Sequence, residues 1–247
     1  HGDFYSHQLT FFMVKNNDLK NIKTLFNMCN LNLSKIILKS FTEGIKIIKE
    51  DKKDTFIKIN IKKNETLLSI FYESSFCYFQ KFNFGSDIIL KDISKVCSFE
   101  MSKTKNIISE TKFENLNENS YVDQKYFDDN NFRKISLKHI VEIASARIEE
   151  IVDVIFNLNR NIFYIGGEEI LINLSIDDKS IQNKFKEIFK KNFNNCKLNF
   201  FNLTDQDNFT SIEIFGELLS KGWIKEAIPI VNKKKSWISS IFSSLFE

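Results

Sequence analysis

Two stretches of the sequence carry residue types and spacings that can engage something other than the chain itself. Gly166 and Gly167 close an apolar run, NIFYIGGEEI, in a chain with 7 glycines among 247 residues. A glycine pair at a strand end lets backbone approach a base or phosphate that a side chain would block, although a plain turn is its commoner use. The second stretch is KKKSWISSIFSSLFE, residues 233–247. At about 100° per residue, Trp237, Ile238, Ile241, Phe242, Leu245 and Phe246 share one half of a helical wheel, and Ser236, Ser239, Ser240, Ser243 and Ser244 fill the other. Such a helix either lies in a membrane interface, with Lys233, Lys234 and Lys235 facing anionic lipid, or docks on its own domain. The second is the commoner fate of an amphipathic helix, and the wheel alone leaves both open.

Other chemistries find little support. Cys29, Cys77, Cys97 and Cys196 lie far apart, without a CxxC pair, and His1, His7 and His139 are the only histidines, so neither a zinc site nor a disulfide framework is expected. A reducing cytosol is the simplest compartment. The net charge of +3 and pI near 8.5 arise from interspersed Lys and Glu, which gives no nucleic-acid footprint. The 26 Phe, with abundant Ile, Lys and Asn, match the codon bias of an AT-rich genome rather than aromatic chemistry. No apolar run is long enough to span a bilayer, and the opening HGDFYSHQLTFF lacks the basic lead of a secretory signal. Beginning on His1, the sequence reads as a piece of a longer chain.

The elements that would position these residues follow from periodicity. QLTFFMV and LSKIILKS read as strands flanking a helix capped by Asp18, with Leu19, Ile22, Leu25, Phe26 and Cys29 on one face. A short helix, FTEGIKII, then runs into the charged break KEDKKD. Ile57, Ile59 and Ile61 alternate with Lys58, Asn60 and Lys62 before a polar turn at Lys63 and Asn64 and a second apolar run, which predicts a hairpin. FCYFQKFNF is a third strand, leading through Gly85 into a helix capped by Ser86 or Asp87. Residues 98–136 read as irregular. LKHIVEIASARIEEIVDVIFNL carries the clearest helical spacing, with Arg147, Glu149 and Glu150 on its polar face. NIFYIGGEEI reads as a buried strand, KSIQNKFKEIFKKNF as a helix, CKLNFFNL as a strand and residues 209–219 as a helix. Residues 222–235, with Pro229, read as a linker.

This order, together with several local motifs, resembles the FtsA family of actin-like division proteins over nearly the whole chain. INIKKNETLLSIF stands where the family has a hairpin of the form VDIGGGTTDIAVF: Asn60 replaces its acidic residue, Lys62, Lys63 and Asn64 its glycines, and Glu65 its first threonine, while Thr66 is kept. FNFGSDIILKDIS retains Gly85, Asp87, Asp92 and Ile93 of the family's IPVGGDHITNDIA, and MSKTK aligns with AExLK, with Ser102 in place of Glu. Arg147, Glu149, Glu150 and Ile151 match RxEEI, and IGG at 165–167 matches the adenosine turn TGG.

The resemblance implies an α/β, actin-like (ribonuclease H-like) fold, incomplete at its N-terminus. Residues 1–50 would be a β-α-β subdomain similar to the FtsA-specific 1C subdomain. Residues 51–222 would form the nucleotide-side domain, with 96–158 as its outer subdomain, followed by a linker at 223–235 and a membrane-targeting helix at 236–247. The family's nucleotide contacts fall on Asn60, Thr66, Gly85, Gly166 and Gly167. The replaced glycines crowd a phosphate loop, and Asn60 offers Mg²⁺ no anionic oxygen, so no ATP or magnesium cofactor and no hydrolysis is expected. The implied partners are the FtsZ C-terminal tail, membrane lipids, other division proteins and further copies in actin-like filaments. The implied place is the division site, on the cytoplasmic side of the inner membrane. A soluble adaptor, or a PilM-like assembly protein whose terminal helix packs on protein, is the alternative reading.

Overall fold

The computed structural model describes residues 10–113, 116–117, 119–127, 133–159, 162, 170–192, 197–200 and 205–220. In chain order its elements are α1 (Asn16–Met28), α2 (Lys39–Asp51), β1 (Phe56–Ile61), β2 (Thr66–Tyr72), β3 (Ser75–Phe82), α3 (Asp87–Cys97), α4 (Met101–Glu110), α5 (Leu137–Val152), β4 (Leu171–Ile176), α6 (Lys179–Asn192), β5 (Lys197–Phe200) and α7 (Asp205–Ser220). The described residues fall into two units. One comprises residues 10–54, 73–77 and 205–220; the other comprises 55–72 and 78–200.

In the larger unit the sheet order is β3-β2-β1-β4-β5. β1 and β2 pair antiparallel from Phe56↔Phe71 to Ile61↔Thr66, joined by the expected turn at Lys63 and Asn64, where the Lys62 N–H donates to Glu65 O at 2.9 Å. β1 pairs parallel with β4, and β4 parallel with β5. The turn from β2 to β3 places Glu73 and Ser74 at φ 47° and 64°, the left-handed pair that suits a tight hairpin.

Register fixes the two faces of this sheet. Ile57, Ile59 and Ile61 align with Ile70 and Leu68 of β2 and with Ile172, Leu174 and Ile176 of β4, and this face joins Ile89, Leu90 and Ile93 of α3, Ile140, Ala144 and Ile148 of α5, and Phe185 and Phe189 of α6 in one core. The reverse face carries Lys58, Asn60, Ser69, Asn173 and Ser175. An alternation of this kind ordinarily marks a wet face. Here all six residues of β1 are buried, Lys58 and Asn60 to 3% and 4% exposure.

In the smaller unit α2 packs against α7, and Lys49 meets Glu217 at 2.5 Å. The strands expected on either side of α1 do not form among the described residues: residues 10–15 and 31–38 have no ladder partner there, and a lone extended segment leaves its own N–H and C=O groups unpaired. Phe12 instead stacks on Phe76 at 4.6 Å. Helix α1 begins at Asn16, so Asp18 lies inside its first turn rather than capping it.

Three further expectations are corrected. The interval 98–136 holds α4, whose buried Thr104, Ile107 and Ile108 are too few to make a visible periodicity. β4, missed in the sequence, is a central strand; Asn173 and Ser175 break the apolar run that would have announced it. Ser86 occupies the N-cap position of α3, but its side chain makes no capping bond. The hairpin, β3, α2, α3, α5, α6, β5 and α7 form where the periodicity placed them, within a few residues. The run NIFYIGGEEI lies almost wholly outside the described residues, as do the linker and residues 233–247.

Candidate functional site

The carboxyl ends of β1 and β4 point the same way, and the Asp177 N–H donates to Ile61 O at 3.0 Å to hold them level. Open sheets of this kind place ligands at those ends. A cleft of about 540 Å³ lies there, bounded by the hairpin residues Lys62, Lys63, Asn64 and Glu65, by Lys105 of α4, and by Asp177 and Asp178.

Glu65 is the electrostatic centre of the hairpin. Its carboxylate accepts from Lys62 Nζ at 2.7 Å and pairs with Lys81 Nζ through the other oxygen. Those two ammonium groups, Lys62 foremost, hold its pKa down to about 2. Across the cleft, Asp178 Oδ1 accepts from Ser180 N at 3.0 Å and Ile181 N at 3.3 Å, an N-cap for α6. Lys63 and Lys105 make no ion pair among the described residues. Three lysines and three carboxylates make a polar cleft of balanced charge, suited to holding an ion or a zwitterionic group. Among the described residues no three His, Cys, Asp or Glu side chains converge on a metal position.

The hairpin tip is locked onto the start of α3. Lys62 O and Lys63 O accept from Ser86 N and Asp87 N at 2.9 and 3.0 Å. Gly85 lies so close beneath that a Cβ there would sit 2.0 Å from Lys62 O. Thr66, fully buried, donates its hydroxyl to Phe84 O at 2.8 Å, a second tie between the hairpin and this turn. The helix N-terminus, the usual anion site in such folds, therefore has its first amides occupied by protein carbonyls.

Of the residues named from the sequence, Thr66 and Gly85 come together at this joint. Asn60 lies on the reverse face opposite Ser175, with its Oδ1 buried and unpartnered among the described residues. Gly166 and Gly167, and all nine residues from Lys233 to Phe246 that the sequence reading expects to face a membrane, lie outside the described residues. Sequence reasoning missed Lys105, Asp177 and Asp178. The first sits in the quoted stretch MSKTK, and the other two precede a helix as cap residues do, so a signal existed for each.

Among the described residues, the hairpin does not fit MgATP. No anionic oxygen stands at position 60, and none of Lys62, Lys63 and Asn64 has positive φ, so the tip forms a hairpin turn with its side chains in place rather than a glycine cradle of bare amides.

Two residues that carried the sequence resemblance meet elsewhere in this unit. Arg147 of α5 donates through Nε to Asp92 Oδ2 of α3 and through Nη1 to Glu150 Oε2 at 2.6 Å. The RIEEI segment thus clamps α5 to α3.

No protein-family model matches the sequence, and no curated protein is similar to it. Solved structures do resemble the fold. MreB5 of Spiroplasma citri bound to AMPPNP superposes with a TM-score of 0.58 at 15% identity, over 85% of this chain and 67% of that one. EutJ, an ethanolamine utilization protein from Carboxydothermus hydrogenoformans, gives 0.49 at 7% identity over 76% and 57%. Ta0583, an archaeal actin homolog, gives 0.43 at 10% identity over 77% and 58%. The chain spans 57% of the length of EutJ and 67% of that of MreB5. With its sheet order and the likeness to MreB5, the chain has an actin-like fold.

Proposed function

We propose that this chain is a scaffold resembling FtsA, which tethers the FtsZ tail to the cytoplasmic face of the inner membrane and does so without hydrolysing ATP. The observation that carries the reading is the locked hairpin. An actin-like fold of the kind that holds AMPPNP in MreB5 here has its hairpin carbonyls on the α3 amides, Gly85 packed beneath, and Asn60 in place of an acid. A protein that keeps this architecture without phosphate chemistry serves as a surface for assembly.

The membrane half of the proposal rests on the pattern of residues 233–247. Six large apolar side chains partly buried at an interface contribute roughly 6–10 kcal/mol gross. Ordering about a dozen residues costs a comparable amount, and each lysine of the triplet adds about 1 kcal/mol against anionic lipid. The result is a weak, reversible anchor that becomes firm when several copies bind together.

Co-sedimentation with phosphatidylglycerol-containing vesicles tests it, comparing the intact chain with one ending at Asn232. The intact chain pellets and the shortened one stays in the supernatant. Equal pelleting of the two removes the tether.

A further inference from the structure

Helix α7 carries apolar residues on two opposite sides. Ser211 and Ile214 are buried on one. On the other, Phe209, Ile212 and Leu219 are 63%, 65% and 38% exposed and, with Gly216, fall within about 80° of arc. A Cβ on Gly216 would meet nothing within 4 Å, so the stripe has a notch in its middle. Glycine inside a helix is less favourable than alanine, and nothing in the described residues uses the space it leaves.

The sequence following α7 supplies an occupant. Residues 221–236 form a connection whose r.m.s. reach is about 20 Å if flexible, against a stripe about 15 Å long. Residues 237–246 present six large apolar side chains over a similar length if helical. An intramolecular partner whose tether matches the span is held at millimolar effective concentration. Charge agrees: Glu213, exposed beside the stripe, has no ion pair among the described residues, and Lys233, Lys234 and Lys235 immediately precede the segment.

We propose that residues 237–246 dock their apolar face on the outer stripe of α7, Phe209, Ile212, Gly216 and Leu219, and that this docking competes with lipid. Docking itself stands on the geometry of α7. Only the competition rests on the membrane-anchor reading above. A docked-to-free ratio of about 4:1 lowers the apparent lipid affinity about fivefold.

The test uses the full chain with Trp223→Phe, which leaves Trp237 as the one tryptophan. Without vesicles its emission is blue-shifted and independent of protein concentration. Ile212→Glu or Phe209→Glu, at exposed positions that leave the circular dichroism unchanged, moves it to that of water-exposed tryptophan and raises binding to phosphatidylglycerol vesicles about fivefold. An exposed-type emission in the parent, or a blue shift that neither variant moves, overturns the docking. A blue shift that fades on dilution as a sedimenting dimer dissociates assigns the stripe to a second copy and also overturns it. If the variants move the emission while the chain ending at Asn232 pellets with vesicles as well as the intact chain, docking stands and the anchor fails.

Discussion

At the scale of single residues, the hairpin joint depends on one missing methyl group. Gly85 has Lys62 O where a Cβ would go, so Gly85→Ala must push the backbones of the hairpin and the α3 turn apart. Overpacking against backbone costs about 3 kcal/mol, and a chemical-denaturation series should show that loss as a lower midpoint. Glu65 gives a pH signature. Its pKa is lowered from 4.5 to about 2 in the folded chain, so its stabilising contribution is complete above pH 4.5 and is lost as the pH falls toward 2. Glu65→Gln should flatten the acid limb of stability in that window and leave the neutral-to-basic limb unchanged. Because Glu65 is partly solvated, the effect at neutral pH should be about 1 kcal/mol or less. Gly85 was legible in the sequence through the resemblance carried by FNFGSDIILKDIS, but the reason for it was not. A close carbonyl from a residue upstream is not written in local spacing.

At the scale of elements, the RIEEI segment changes meaning. In the sequence Arg147, Glu149 and Glu150 were a solvated polar face; in the fold Arg147 is the bolt between α5 and α3 through Asp92. A double-mutant cycle on Arg147→Ala and Asp92→Ala should return a coupling of about 1 kcal/mol, since both side chains are about one-quarter exposed. Additive single effects would show the contact to be idle. Strongly periodic elements such as α5 were legible because one apolar stripe of that length has no other use. β4 was not, because it is buried on both faces while carrying Asn173 and Ser175, and burial of a polar face is decided by what the rest of the chain does. The strands expected around α1 failed for the complementary reason: an apolar run with strand-like residues becomes a strand only when a neighbour offers its backbone.

At the scale of the whole molecule, the family resemblance carried by element order and local motifs implied the actin-like fold, and the likeness to MreB5 bears it out while leaving the FtsA assignment a proposal. A locked hairpin predicts that saturating MgATP leaves the melting temperature unmoved in differential scanning fluorimetry. A ligand at 100 times its Kd would add about 2.7 kcal/mol and raise the midpoint by several degrees. Such a rise would restore a nucleotide site. The same lock also orders events during folding. Helix α3 has no side-chain cap, and its first two free amides are completed by carbonyls that exist in position only once β1 and β2 have turned at Lys63 and Asn64. The start of α3 should therefore consolidate no earlier than the hairpin, so that the two share one folding nucleus, and a substitution that delays the turn delays the helix with it.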